Sequence, residues 1–212
     1  MKEQWIYEQF STINVGDPRL QKRAVDVAIG CAERPEESLA GRFDKWADLQ
    51  GAYRFFSNPK ITHQGLQHPH YDQVLEKASW SEELVLFIQD GSELLFNSHP
   101  WTHGLGPTAD SNGNGLMFHS CLVAKYHDES EETEILGLGY QETWVRPEKK
   151  SKSDKSKESE VWLRTLEKMG RPQANWVSVG DRANDIYKFL DNANRLGWKC
   201  VVRARHPTFP PL

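Results

Sequence analysis

Asp90 and Asp181 are the residues whose type and position best suit chemistry. Each closes an apolar run of strand length. Leu84-Val85-Leu86-Phe87-Ile88 leads through Gln89 to Asp90, and Trp176-Val177-Ser178-Val179 leads through Gly180 to Asp181. In mixed α/β sheets, ligands gather at the carboxyl ends of strands. If these two runs are neighbours, their carboxylates lie side by side and repel unless a cation neutralises them. Mg²⁺ and Mn²⁺ take hard oxygen ligands, often one or two carboxylates plus substrate phosphates. A pair of such ions activates a nucleophile and stabilises a leaving oxygen in phosphodiester chemistry. Asp181 has a second reading, because it precedes Arg182-Ala183-Asn184 as a helix N-cap would. Asp185 follows four residues later on the same helix face. It reads either as an acid supporting the pair or as a first-turn charge favoured by the helix dipole.

Positioning such a pair requires a sheet, and the chain supplies one in its second part. Strands are expected at Leu84–Gln89, Phe118–Tyr126 and Ile135–Arg146, the last two separated by an acidic turn. Hairpin connections make these three an antiparallel meander. A helical stripe of Val161, Leu163, Leu166 and Met169 ends at Gly170. A strand at 176–179, a helix over 183–196 stopped by Gly197, and a strand at 200–202 complete the order β-β-β-α-β-α-β. The segment His99–Gly115 reads as a loop, and the Lys/Ser/Glu-rich stretch 147–160 as a solvated connection.

The first part reads as helical. Asp17-Pro18 is an N-cap followed by a proline at the first helical position. Leu20, Ala24, Val27, Ala28 and Cys31 follow at helix spacing, and Pro35 closes the run. A second helix is expected from Ser38 to Phe56, ended by Asn58-Pro59. A third begins near Thr62 and runs through Leu66, is interrupted at His68-Pro69-His70, and another is expected over Tyr71–Ala78. The boundary between helical and sheet parts falls near Ser79, giving domains 1–78 and 79–212.

With 212 residues, 38% hydrophobic and 11% aromatic, the chain can bury a core, and a formal net charge of -4 argues against a simple basic nucleic-acid coat. No run approaches the ~18 apolar residues of a spanning helix, so no membrane partner is expected. Met-Lys-Glu-Gln-Trp lacks an apolar leader. Cys31, Cys121 and Cys200, an odd and sparse set, read as reduced thiols. These points predict a cytoplasmic protein.

Among the basic residues, Arg19, Lys22, Arg23, Arg54 and Lys60 of the helical part suit either phosphate contacts or a solvated surface. Arg146, Arg182 and Arg203 lie at strand ends, where DNA contact and pairing with acids are both open. His63, His68 and His70 match no zinc spacing and read as a surface loop. His119, on the second strand, either faces the acids or is a hydrogen-bonded core residue. The eight tryptophans read mostly as core or interface anchors.

Several motifs together resemble the bacterial cut-and-paste DDE transposases of the insertion sequence four group, to which the transposon five transposase belongs. They are Val15-Gly16-Asp17-Pro18-Arg19, Gly51-Ala52-Tyr53-Arg54-Phe55 with Asn58-Pro59, Ile88-Gln89-Asp90, Gly104-Leu105-Gly106-Pro107, Phe118-His119-Ser120, Trp144-Val145-Arg146-Pro147, Val179-Gly180-Asp181-Arg182 with Asp185-Ile186-Tyr187, and Val201-Val202-Arg203. The resemblance runs from about Trp5 to His206. It implies a helical domain that binds double-stranded DNA at transposon ends, joined to a ribonuclease-H-like catalytic domain. It further implies Asp90 and Asp181 as the first two of three acids holding two Mg²⁺ or Mn²⁺ ions, for phosphodiester hydrolysis and strand transfer. Alongside the resemblance, Arg19, Arg23, Arg54, Arg146, Arg182 and Arg203 are the candidate DNA contacts, with Asp185 and His119 as candidate supporting residues, in a nucleoid-associated protein. Two departures stand out. Gly91-Ser92 replaces the usual pair of threonines, and no Glu follows Asp181. The sheet is therefore expected to be truncated before the Glu-bearing helix. The chain is expected either to be an inactive part of a transposase or to be a non-enzymatic DNA-binding remnant that regulates a full-length one.

Overall fold

The structure, a computed structural model, describes residues 2–99, 101–108, 113–147 and 159–204. Four helices come first: α1 (Lys2–Phe10), α2 (Pro18–Glu33), α3 (Trp46–Phe56) and α4 (His63–Ser79). Asp17 caps α2, its carboxylate accepting from the Arg19 backbone N–H at 2.9 Å, with Pro18 at the first helical position. The α2 stripe buries Ala24 and Val27 against Ile13, Val15, Ala52 and Phe55.

Two helix boundaries differ from the sequence expectation. Residues 38–45 form turns, and α3 starts at Trp46 rather than Ser38. Two arginines hold this segment out of a helix. Arg34 donates to the Gly41 carbonyl at 3.0 Å and pairs with Asp44 at 2.8 Å. Arg42 reaches back to the carbonyls of Arg34 and Pro35 and to Cys31 Sγ. These side chains occupy carbonyls before helical N–H groups can. Conversely, α4 runs through Pro69 without a break. Proline removes one helical N–H, so a single carbonyl, that of Gly65, loses its donor. The remaining turns of the helix absorb that loss. His63, His68 and His70 therefore lie on a helix, not a loop. His68 Nδ1 meets Asp72 at 2.8 Å and His70 Nδ1 meets Gln9 at 2.6 Å.

The second part is a mixed sheet. Its strands are β1 (Leu84–Leu95), β2 (Gly106–Pro107), β3 (Asn114–His127), β4 (Glu132–Trp144), β5 (Trp176–Gly180) and β6 (Lys199–Val202). β1, β3 and β4 make the antiparallel meander, and β5 joins β1 in parallel, followed by parallel β6. The order across the sheet is β4-β3-β1-β5-β6, with β2 pairing the far end of β3. Helices α5 (Val161–Met169) and α6 (Tyr187–Arg195) complete the expected order, with the 3-10 turn Arg182–Asn184 preceding α6. Two-residue β2 lies inside the stretch expected to be only a loop.

Alternation along β1 buries Val85, Phe87 and Gln89 and leaves Leu84 and Asp90 exposed. The buried side meets α5 and α6. There Phe87 stacks with Trp176 and Trp198 at centroid distances of 4.7 and 5.0 Å. Trp162, Trp176 and Trp198 are core residues, whereas Trp46, Trp80 and Trp101 are 70%, 81% and 88% exposed. The core reading thus holds for only part of the tryptophan set. By contacts the chain divides into two compact units, 1–73 and 74–212, with the division inside α4. The connection 148–158 and the tail from residue 205 lie outside the described residues.

Candidate cation site and nucleic-acid interface

The parallel register pairs Val85 with Trp176 and Ile88 with Val179. Two residues further along each chain stand Asp90 and Asp181. β5 stops at Gly180, as the apolar run suggests, but β1 continues to Leu95 because its extension pairs with Gly115–His119 of β3. Asp90 therefore lies within its strand and not at its end.

A polar row crosses the sheet at this level. Asp90 is opposite Ser120, and Ser120 is opposite Gln141. On the other side the Arg203 N–H donates to the Gly180 carbonyl at 3.2 Å, continuing the β5–β6 register and setting Arg203 next to Asp181. Asp90 emerges on the face turned away from α5 and α6. Asp181 keeps extended backbone (φ -81°, ψ -167°), so the alternation that half-exposes Val177 and Val179 carries it to the same face. Both aspartates are exposed. Asp90 Oδ1 accepts from the Gly91 N–H at 2.8 Å, and Asp181 Oδ1 from the Ala183 N–H at 2.9 Å. Asp181 is thus a cap, of the 3-10 turn, and also a neighbour of Asp90. As a donor set the pair fits a hard divalent cation, with the second oxygen of each carboxylate directed to no protein partner among the described residues. No group of three or more His, Cys, Asp or Glu side chains arranged for a metal occurs among the described residues.

His119 faces the other way. It is fully buried on the helix-covered side, its ring edge-on to Trp162 at 4.6 Å. Its Nε2 meets Gln89 Oε1 at 3.1 Å. Burial pushes its pKa down to about 4, against the pull of Glu142. Glu142, opposite His119, is driven up by burial. Hydrogen bonds from Arg164 and Tyr140 outweigh that and hold it below the usual range. Asp185 ends the 3-10 turn, its N–H donating to the Arg182 carbonyl at 3.3 Å. Arg146 forms a largely buried pair with Glu93 at 3.0 Å. Arg182 and Arg203 are exposed.

In the N-terminal region, the α3 residues Leu49, Ala52 and Phe55 point into the core. The outward face carries Trp46, Gln50, Tyr53 and Arg54, all exposed, with Lys45 before the helix and Lys60 after it. Lys45, Arg54 and Lys60 form no ion pair among the described residues. Arg23 does: it pairs with Asp48 at 3.4 Å and lies over Gly51, where a Cβ would stand 2.7 Å from its guanidinium carbon. Arg19 folds back onto Asp17 at 3.0 Å. Gln50 escaped the sequence reading, although its spacing of four from Arg54, opposite the Leu49-Ala52-Phe55 stripe, marks it. Gln89 escaped too, and its signal was a lone polar residue at the end of an apolar run.

Residues 2–61 match the family model described as transposase DNA-binding. The match supports a transposase N-terminal region over residues 2–61 and DNA as its partner. No helix among the described residues is long and apolar enough to cross a membrane.

Proposed function

We propose that this chain is a transposase of the DDE type, of the insertion sequence four group, that engages double-stranded DNA at transposon ends through the outward face of α3. Gln50 and Arg54 are suited to adenine and guanine edges in the major groove. Lys45 and Lys60 are placed to meet phosphates, which position a protein without reading sequence. The sheet is read as a ribonuclease-H-like catalytic domain, and the observation that carries this is the common row of Asp90 and Asp181. These two carboxylates would hold Mg²⁺ or Mn²⁺. When bound, such ions supply activation of water and stabilisation of the leaving oxygen in phosphodiester cleavage. This chain's own residues would do three things. Asp90 and Asp181 present the anionic oxygens, Arg203 places positive charge beside them for a phosphate, and the Ala183 N–H holds the Asp181 carboxylate in orientation.

A second reading is favoured by the donor count: among the described residues no third acid joins the pair. On that reading the chain occupies DNA ends, or a full-length transposase, without cutting. Purified protein incubated with labelled duplex bearing the inverted repeats that flank its gene, in Mg²⁺ or Mn²⁺, separates the two. Nicking lost in Asp90→Ala and Asp181→Ala supports the enzyme. Retention of the duplex without nicking supports the second reading, and failure to retain it removes both.

A further inference from the structure

Directly behind the aspartate row, on the helix-covered side, a hydrogen-bonded chain of buried polar residues crosses three strands. His119 of β3 meets Gln89 of β1 at 3.1 Å, and the Gln89 amide donates to Ser178 Oγ of β5 at 3.1 Å. All three are 2% exposed or less. With the Gln89 amide nitrogen donating to Ser178, its Oε1 is left to accept from His119 Nε2. Asn184, fully buried, packs against Gly180 at the β5 end of the same side.

We infer that Gln89, held between His119 and Ser178, is a positioning residue that fixes the separation of Asp90 and Asp181. The inference rests on the reading of those aspartates as cation ligands. The β1–β5 pairing ends at Ile88 and Val179, so no ladder rung links Asp90 to Asp181. Around it, the shared face is built from Val85, Phe87, Trp176 and Val123, whose packing is non-directional and tolerates small slides. A buried hydrogen bond has one geometry and leaves two unpaired groups if the strands shift. Gln89–Ser178 is the side-chain hydrogen bond between β1 and β5 among the described residues, and it sits one residue before Asp90 and three before Asp181. Groups hydrogen-bonded to a metal's ligands commonly carry tenfold or more of its affinity; Gln89 would act on both ligands through the strand backbone.

The test uses the full chain and two readouts. Hydrogen–deuterium exchange without metal, over peptides spanning 86–92 and 177–183, reads the strand junction directly. Mn²⁺ binding by loss of the free-ion electron paramagnetic signal reads the carboxylate pair. Gln89→Met keeps the length but loses both hydrogen bonds. Ser178→Ala loses one, and Ser178→Thr restores the hydroxyl. Val123→Ala destabilises the same core face without touching the chain. The expected result is faster exchange in both peptides and about tenfold weaker Mn²⁺ binding in Gln89→Met. Ser178→Ala falls between, Ser178→Thr stays close to the parent, and Val123→Ala keeps its affinity despite a lower Tm. Should Gln89→Met fail to fold, the Ser178 pair carries the test. Unchanged exchange and affinity in Ser178→Ala, or an equal loss in Val123→Ala, overturns the inference. Mn²⁺ binding that is absent, or indifferent to Asp90→Ala, overturns the cation reading instead, and the exchange data then still report whether the junction is held by Gln89.

Discussion

Asp90 and Asp181 reach one row of the sheet from opposite ends of the second unit, each with one carboxylate oxygen committed to a backbone N–H. Two negative groups on adjacent strands repel, and a cation relieves that repulsion. Mg²⁺ or Mn²⁺ at about ten times its dissociation constant should raise Tm by about 3 °C or more. The rise should vanish in Asp90→Asn and in Asp181→Asn. In metal-free buffer Asp90→Asn should melt no lower than the parent, since it removes the repulsion and keeps an acceptor for the Gly91 N–H. Differential scanning fluorimetry with and without metal reads both effects.

The two kinds of arginine in the N-terminal region should behave differently. Arg54→Ala and Gln50→Ala should each weaken binding to the cognate DNA end by about 1–3 kcal/mol and relax sequence preference. Lys60→Ala should weaken binding to all duplexes alike and reduce the salt slope by about 1. Arg23→Ala should lower Tm first, because Arg23 is tied to Asp48 and lies over Gly51. Fluorescence anisotropy over a salt series, beside thermal melts, distinguishes the three.

His119 gives the fold a pH dependence of defined sign. Its folded pKa, about 4, lies below the ordinary 6.5 because burial disfavours the cation. Below pH 6.5 the unfolded chain takes up a proton that the folded chain refuses. Stability from this group is therefore full above pH 6.5 and declines as pH falls toward 4, by about 3 kcal/mol in all. Urea unfolding between pH 7 and 4.5 should show the decline, and His119→Gln should flatten it.

Gly180 is crowded on its buried side. A Cβ there would meet the Asn184 amide nitrogen at 2.3 Å and its Cβ at 2.9 Å. Gly180→Ala should cost about 1–3 kcal/mol by overpacking. Because Asn184 belongs to the turn that Asp181 caps, the substitution should also weaken Mn²⁺ binding. Denaturant titration and the electron paramagnetic assay measure the two effects separately.

Much of this was legible in the residues. The α2 start follows from Asp17-Pro18, and two apolar runs that each lead to an acid mark Asp90 and Asp181, although only the β1–β5 pairing makes them neighbours. What escaped depends on partners far away in sequence. The extension of β1 past Asp90 exists because β3 is long enough to pair with it, and Gly91-Ser92-Glu93 carries no strand signal alone. The turns at 38–45 follow from Arg34 and Arg42 reaching across to carbonyls, which helix periodicity cannot reveal. The orientation of His119 follows from strand parity, and parity needs the register before it can be assigned. The exposed face of α3 was implicit in the buried one, but Gln50 has no distinguishing chemistry until that face is known to point outward.

The pairing of β3 with β4 shifts register twice, between Cys121 and Leu122 and between Val123 and Ala124. Among the described residues β4 pairs with no strand besides β3, so its other side is an edge there, opened by Glu132 and Glu134. A strand from another copy would find the N–H and carbonyl groups there out of step, and like charges at the point of first contact. In concentrated solution this edge resists templated stacking of copies into fibres. Among the described residues the burden of staying dispersed then falls on the four-residue β6 at the other side, where Val201 is 60% exposed.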